Sequence, residues 1–162
     1  MGVERLKDLE ALFNESIKDA ILQAEVFNEV DVVIGIPFYN EKDILPEVLK
    51  VLDEGLASLQ DLRNALIVSV GDPIGVETLA AIRRLDLKTP HLEFLMRPGS
   101  NGRGASIRAI LEIANVIEAD AVLFTADLVR EEGRGLQPDW ISRLIEPIRK
   151  EYDFVVPILS QK

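Results

Sequence analysis

Short, continuously apolar runs rich in β-branched residues recur along this chain, separated by segments with helical spacing. The runs are DVVIGI (31–36), ALIVSV (65–70), LEFLM (92–96), AVLFTA (121–126) and DFVVPIL (153–159). They lack the alternation of a strand with one wet face, so each is expected to be buried on both sides. The intervening segments 43–59, 76–86, 105–117 and 137–150 read as helices. Repeated strand–helix alternation predicts an α/β domain of three layers, α/β/α, Rossmann-like, with a mainly parallel sheet. Pro37 is expected to stop the first run. Asp43 is the candidate N-cap of the next helix, with Pro46 in its first turn.

Before the first strand, residues 5–27 carry Leu6, Leu9, Phe13, Ile17, Ile21, Ala24 and Phe27 at spacings of three and four, an amphipathic helix. Residues 1–30 are therefore set apart from a domain at 31–162. The apolar stripe needs a covering surface, either its own domain or a second subunit, and a homodimer is the expectation. A length of 162 residues fits one core-forming domain. The chain has no cysteine, which excludes disulfides, thiol nucleophiles and thiolate metal sites. No apolar run approaches the roughly 18 residues of a membrane-spanning helix. The opening MGVERLKDLEALF is too acidic and periodic for a secretory signal, so a cytoplasmic location is expected. The net charge of −10 argues against a nucleic-acid binder, and any anionic ligand needs a local basic site.

In open parallel sheets ligands bind at the carboxyl ends of the strands. Four polar segments reach that edge: PFYNE after the first strand, GDP after the second, RPGSNGRG after the third, and Asp127 after the fourth. Between Leu95 and Leu111 there is no acid, yet Arg97, Arg103 and Arg108 are present. Gly102 and Gly104 stand where a helix begins, and free amides at a helix start beside an arginine suit a phosphate. Neither GxxxxGK[ST] nor GxGxxG after the first strand occurs. PFYNEKD reads either as a turn in which Asn40 and Asp43 bond the local backbone, or as a ligand loop using Asn40 and Glu41 with Pro37 stiffening it. Asp72 is either a turn residue or a ligand contact. Asp127 is a helix cap, a solvated acid, or a single carboxylate for magnesium, which completes its shell with water and phosphate. His91, preceding the third strand at the far end from this rim, and Trp140, spaced with Leu144, read as structural.

Taken in order, these segments resemble glycosyltransferases of the GT-A fold, family 2 type. VVIGIPFYNEKDILPEVLKVL is similar to their first strand and Pro-x-Tyr-Asn-Glu segment. LIVSVGDPIGVETLAAI resembles their second strand and acidic turn, without the usual Asp-Gly-Ser. NGRGASIRAIL resembles their Asn-x-Gly-(Lys/Arg)-Gly-x-Ala-x-Arg stretch, and ADAVLFTADL falls where they carry Asp-x-Asp. LQPDWISRLIEPIRKEYDFVVP looks most like the glucosylglycerate and mannosylglycerate synthase branch. The resemblance spans about residues 31–157.

It implies transfer of a sugar from a nucleotide diphosphate sugar, UDP- or GDP-linked, to a hydroxyl acceptor such as a glycerate-type small molecule. By the same resemblance Pro37, Tyr39, Asn40, Glu41 and Asp72 hold the nucleoside. Gly102, Arg103 and Gly104 lie near the diphosphate. Asp127 binds a divalent metal, Mg²⁺ or Mn²⁺. Thr125 stands where the first aspartate of the pair is expected; its hydroxyl can bond a ribose but supplies no charge. The family continues past its fifth strand into an acceptor-binding part, so residues 31–162 are expected to be the donor-binding portion of such an enzyme, with no catalytic base assigned. Two other readings stay open: a sugar nucleotidyltransferase, for which PFYNEKD is a poor match, and a non-catalytic nucleotide-binding or interaction domain.

Overall fold

The protein is described here by a computed structural model covering residues 2–27, 29–59, 64–100 and 102–124. Within these residues four strands, β1 (Val32–Phe38), β2 (Ala65–Gly71), β3 (His91–Leu95) and β4 (Asp120–Leu123), form one sheet in the order β3-β2-β1-β4. Every pairing is parallel, with Val32 opposite Ala65 and Asp120, and Ile67 opposite His91. Four helices accompany them: α1 (Gly2–Glu25), α2 (Leu45–Ala57), α3 (Val76–Arg83) and α4 (Gly102–Val116).

The side-chain period of two divides the core into two faces. Val32, Ile34, Ile36 and Phe38 of β1 pack with Leu45, Leu49 and Leu52 of α2 and with Leu79 and Ile82 of α3. Val33 of β1 and Leu66, Val68 and Val70 of β2 pack with Phe13, Ile17 and Ala20 of α1 and with Ala109, Ile110 and Ile113 of α4. The result is the expected three-layer, Rossmann-like α/β fold. β3 and β4 are only partly buried, with Leu123 41% exposed, whereas burial on both sides is why β1 and β2 read as unbroken apolar runs. Gly35 is the exception, and α4 explains it. A Cβ there would collide with Ile110 Cγ2, so the glycine lets α4 cross close over β1.

Three expectations need correction. Pro37 does not stop β1, which continues to Phe38. Phe124 donates its N–H to Gly35 O at 2.9 Å, while Asp72 donates to Phe38 O at 2.9 Å. Odd-numbered positions of β1 thus turn their polar groups toward β4, and the missing amide of Pro37 falls one step past that bond. The proline has no N–H to give on the β4 side and leaves the β1–β2 ladder intact. Nor is Asp43 an N-cap. Glu41 O accepts the N–H groups of Ile44 at 3.1 Å and Leu45 at 2.8 Å, so the turn closes earlier and the helix starts behind Ile44. Pro46 does lie in the first turn. Finally, α4 starts three residues before the expected 105, which draws Gly102, Arg103 and Gly104 into its first turn. The expected helix 137–150, the strand 153–159 and Trp140 lie outside the described residues.

The apolar stripe of α1 is covered by its own chain: Phe13, Ile17, Ala20 and Ala24 are buried against α4, β2 and β3. Val3, Leu6 and Leu22 remain exposed. No helix among the described residues is long and apolar enough to cross a membrane.

Candidate functional site

Connections run from β1 to β2 to β3 in one direction across the sheet, and then α4 carries the chain back to β4 on the other side of β1. The order therefore reverses between β1 and β4. Loops diverge at such a point, and their ends leave a crevice at the carboxyl edge.

Tyr39 follows β1 directly, and its N–H donates to the Glu41 carboxylate at 2.6 Å. The local bonds that define this turn thus come from Glu41, rather than from Asn40 or Asp43. Asn40 is exposed on the rim, and Pro37 is buried within the strand beneath it. Beside them, Asp72 bonds to β1 through its amide, accepts the Ile74 N–H on Oδ1 at 3.1 Å and accepts the Gly75 N–H on its carbonyl at 2.8 Å. The turn-residue reading of Asp72 holds, and the turn sits against Tyr39. Gly75 makes that closeness possible: a Cβ there would lie 2.6 Å from Tyr39 O and 2.9 Å from Phe38. Lys42 and Glu77, 3.1 Å apart, link the β1–α2 turn to α3 at the surface, an exposed pair that contributes little.

The start of α4 meets the same rim. Gly102 takes φ +65°, and a Cβ on it would stand 3.3 Å from the Tyr39 hydroxyl. Around the Gly104 Cα a Cβ would meet nothing within 4 Å among the described residues. No acid stands in the first turn, and its leading amides have no intrahelical acceptor. An anion placed there would meet the leading N–H groups of the helix and the positive end of its dipole. Arg103 lies in this turn. Thr125 and Asp127 lie outside the described residues.

The basic stretch is less available than its composition suggests. Arg108 makes a bidentate pair with Glu10 of α1 at 2.9 and 2.6 Å and lies 3.9 Å over the Phe13 ring. This guanidinium bond holds the Glu10 carboxyl below its ordinary range. Arg97 pairs with Glu15 of α1 at 3.4 Å. Two of the three arginines thus dock a helix, a use that local sequence could not disclose because Glu10 and Glu15 lie far upstream. Among the described residues no group of three or more metal-ligating side chains gathers. On the rim, Glu41 and Asp72 already accept backbone N–H groups, so these residues alone do not make a metal site.

At the opposite, amino edge, Ser69 Oγ lies 2.8 Å from His91 Nε2, and His91 Nδ1 lies 3.5 Å from Glu93. The order hydroxyl–imidazole–carboxylate imitates a nucleophilic relay. Ser69 is fully buried, so no substrate can reach it, and the cluster is structural, as expected for His91. Depressions of about 380 Å³ beside Val26, Leu56 and Pro90 and of about 310 Å³ beside Arg83, His91 and Glu93 also open at this edge, away from the rim.

Burial pushes the His91 imidazole down to about 4. Its folded value lies below the unfolded one near 6.5, so the native state binds fewer protons between them. Its contribution is present above that window and is lost as pH falls through it. Urea unfolding is expected to show about 2 kcal/mol more stability at pH 7 than at pH 5 from this group. His91→Gln should remove that difference. Glu93, raised by burial, has the opposite trend and is common to both proteins. Identical pH slopes in wild type and variant would show that His91 is not held neutral.

No protein-family model matches this sequence, and no curated protein matches it. A solved structure described as a mycobacterial protein is similar at 15% identity and a TM-score of 0.41, over 82% of this chain. This chain spans 40% of the length of that structure, a likeness too distant to bear on ligand or activity.

Proposed function

We propose that this chain binds a nucleotide diphosphate sugar, UDP- or GDP-linked, and forms the donor-binding part of a glycosyltransferase. The observation that supports this best is the meeting of Tyr39, the Asp72 turn and the first turn of α4 at the carboxyl rim. Tyr39 and the Asp72 turn offer an aromatic ring and polar groups to a nucleoside, and α4 offers amides to a diphosphate. Asn40 and Glu41 complete the nucleoside side, with Pro37 beneath them. The reaction is attack of an acceptor hydroxyl, of a glycerate-type molecule, on the anomeric carbon. The bond from that carbon to the diphosphate oxygen breaks, and the hydroxyl proton leaves to a base.

Charge on the departing diphosphate needs compensation in a chain of net charge −10. Gly102 and Gly104 let phosphate oxygens approach the backbone of α4, and Arg103 adds a cation. Asp127 would hold Mg²⁺ or Mn²⁺ with the phosphates, and Thr125 would bond the ribose. A bound metal supplies Lewis-acid stabilisation of the leaving group.

Calorimetry with UDP and GDP, with and without Mg²⁺ or Mn²⁺, tests this. Arg103→Ala should weaken binding by about 1.5–3 kcal/mol with or without metal, the worth of one charge-assisted bond. Asp127→Ala should abolish only the metal-dependent part, and Thr125→Asp should enlarge it. Absence of nucleotide binding with either metal would put a non-catalytic interaction domain in its place.

A further inference from the structure

We propose that Ser16 of α1 is a positioning residue for the β3–α4 loop, and through it for the first turn of α4; the role rests on the nucleotide-binding reading above. Met96 is the last residue after β3 to bond the sheet, its N–H donating to Gly71 O at 2.8 Å. Arg97, where the chain leaves the sheet, donates its N–H to Ser16 Oγ at 3.0 Å. Ser16 in turn donates its hydroxyl to Leu12 O at 2.9 Å, which fixes the oxygen in place to accept. The Arg97 carbonyl then accepts from Ser100, from its N–H at 3.1 Å and its hydroxyl at 2.6 Å. Two residues later α4 begins at Gly102. A continuous series of hydrogen bonds thus runs from the middle of α1, through Arg97 and Ser100, to the threshold of the proposed phosphate contact.

Neighbouring contacts hold α1 steady enough to serve as a reference. Phe13 and Ile17 are buried against the sheet and α4, and the Arg108–Glu10 pair ties α1 to the body of α4. Leu12 lies under Gly99, 3.2 Å from where a Cβ would stand, and Gly99 takes φ +95°. That conformation suits glycine and leaves the loop dependent on its anchors. α1 is therefore a working part of the rim as well as a cover for the core.

The test compares Ser16→Ala with Ser16→Thr, which keeps the hydroxyl, in the full 162-residue chain. Amide hydrogen exchange and calorimetry with UDP or GDP and Mg²⁺ are read at a temperature where circular dichroism shows every variant folded. Ser16→Ala should speed exchange at the Arg97 amide about fivefold, the effect of one lost hydrogen bond. It should weaken nucleotide binding roughly three- to tenfold, as expected for a site altered through its support. Ser16→Thr should restore both. Ser16→Cys, with a weak acceptor and similar volume, gives the same comparison if the alanine variant unfolds. Unchanged nucleotide affinity in Ser16→Ala, with wild type binding normally, overturns this role alone, even if exchange rises. Wild-type protein that binds neither UDP nor GDP overturns the functional reading, and this role with it.

Discussion

Phe38→Ala is expected to destabilise the protein by about 3–5 kcal/mol, the cost of deleting a fully buried aromatic ring. The ring is 1% exposed and stands where β1, β2 and α3 meet. A Cβ on Gly71 would collide with it, and one on Gly75 would lie 2.9 Å from it. Neither glycine has a side chain that can move into the vacated volume, so the cavity persists. Phe38→Leu refills most of the space and should cost under about 1.5 kcal/mol. Urea denaturation monitored by circular dichroism measures both. A loss below about 1.5 kcal/mol for the alanine variant would mean the site collapses freely, contrary to the glycine contacts. The same ring supports the rim, because Tyr39 follows it and Gly75 rests against it. Surviving folded Phe38→Ala protein should therefore show faster amide exchange at 72–76 than at the amino ends of the same strands.

Asp53→Ala is expected to cost about 2–4 kcal/mol, because two charge-assisted hydrogen bonds disappear together. Asp53 is a buried acid in an otherwise apolar face of α2. Its carboxylate accepts the N–H groups of Lys88 at 3.0 Å and Thr89 at 2.8 Å, and so pins the segment that leads into β3. Burial raises its pKa, but the bonds from Lys88 and Thr89 outweigh that effect and the net shift is downward. A lowered carboxyl contributes stability above its unfolded value near 3.9, and that stability is lost as pH falls through the folded value. The contributions of these two groups to acid destabilisation thus fall in separate stages: His91 acts between about 6.5 and 4, and Asp53 only below that. Asp53→Asn should remove the lower stage while leaving the upper one. Retention of the lower stage in that variant would assign it to other carboxylates.

The layered fold was legible in the sequence because burial on both sides leaves a signature of its own. Runs such as ALIVSV carry no alternation, and only a sheet covered on two faces hides every residue of such a run. The rim was legible for a related reason: in a parallel sheet every strand ends on the same edge, so PFYNE, GDP and RPGSNGRG had to converge. The position of Asp72 after β2 left it open as a turn residue or a ligand contact, and the hydrogen bonds to Ile74 and Gly75 show that it forms the turn.

Other assignments depended on long-range contacts that local patterns do not encode. The break placed at Pro37 failed because a proline stops only the ladder on the side its missing N–H faces, and which side that is depends on the neighbouring strands. Asp43 lost the capping role to Glu41 because the turn closes through backbone carbonyl geometry, which residue type does not report. Nothing local marks Gly35 or Gly75, yet one admits Ile110 and the other the Tyr39 carbonyl. The sequence displays the basic character of the stretch around Arg103 but not how Arg97 and Arg108 are used. Arg97 and Arg108 are matched to Glu15 and Glu10 only once α1 folds back across α4. Sequence by itself determined the layers and the edge where the polar segments gather, because periodicity and strand direction are local properties. Tertiary structure alone decided which charges are spent on docking and which glycines are needed for close approach, because both depend on residues brought together from distant parts of the chain.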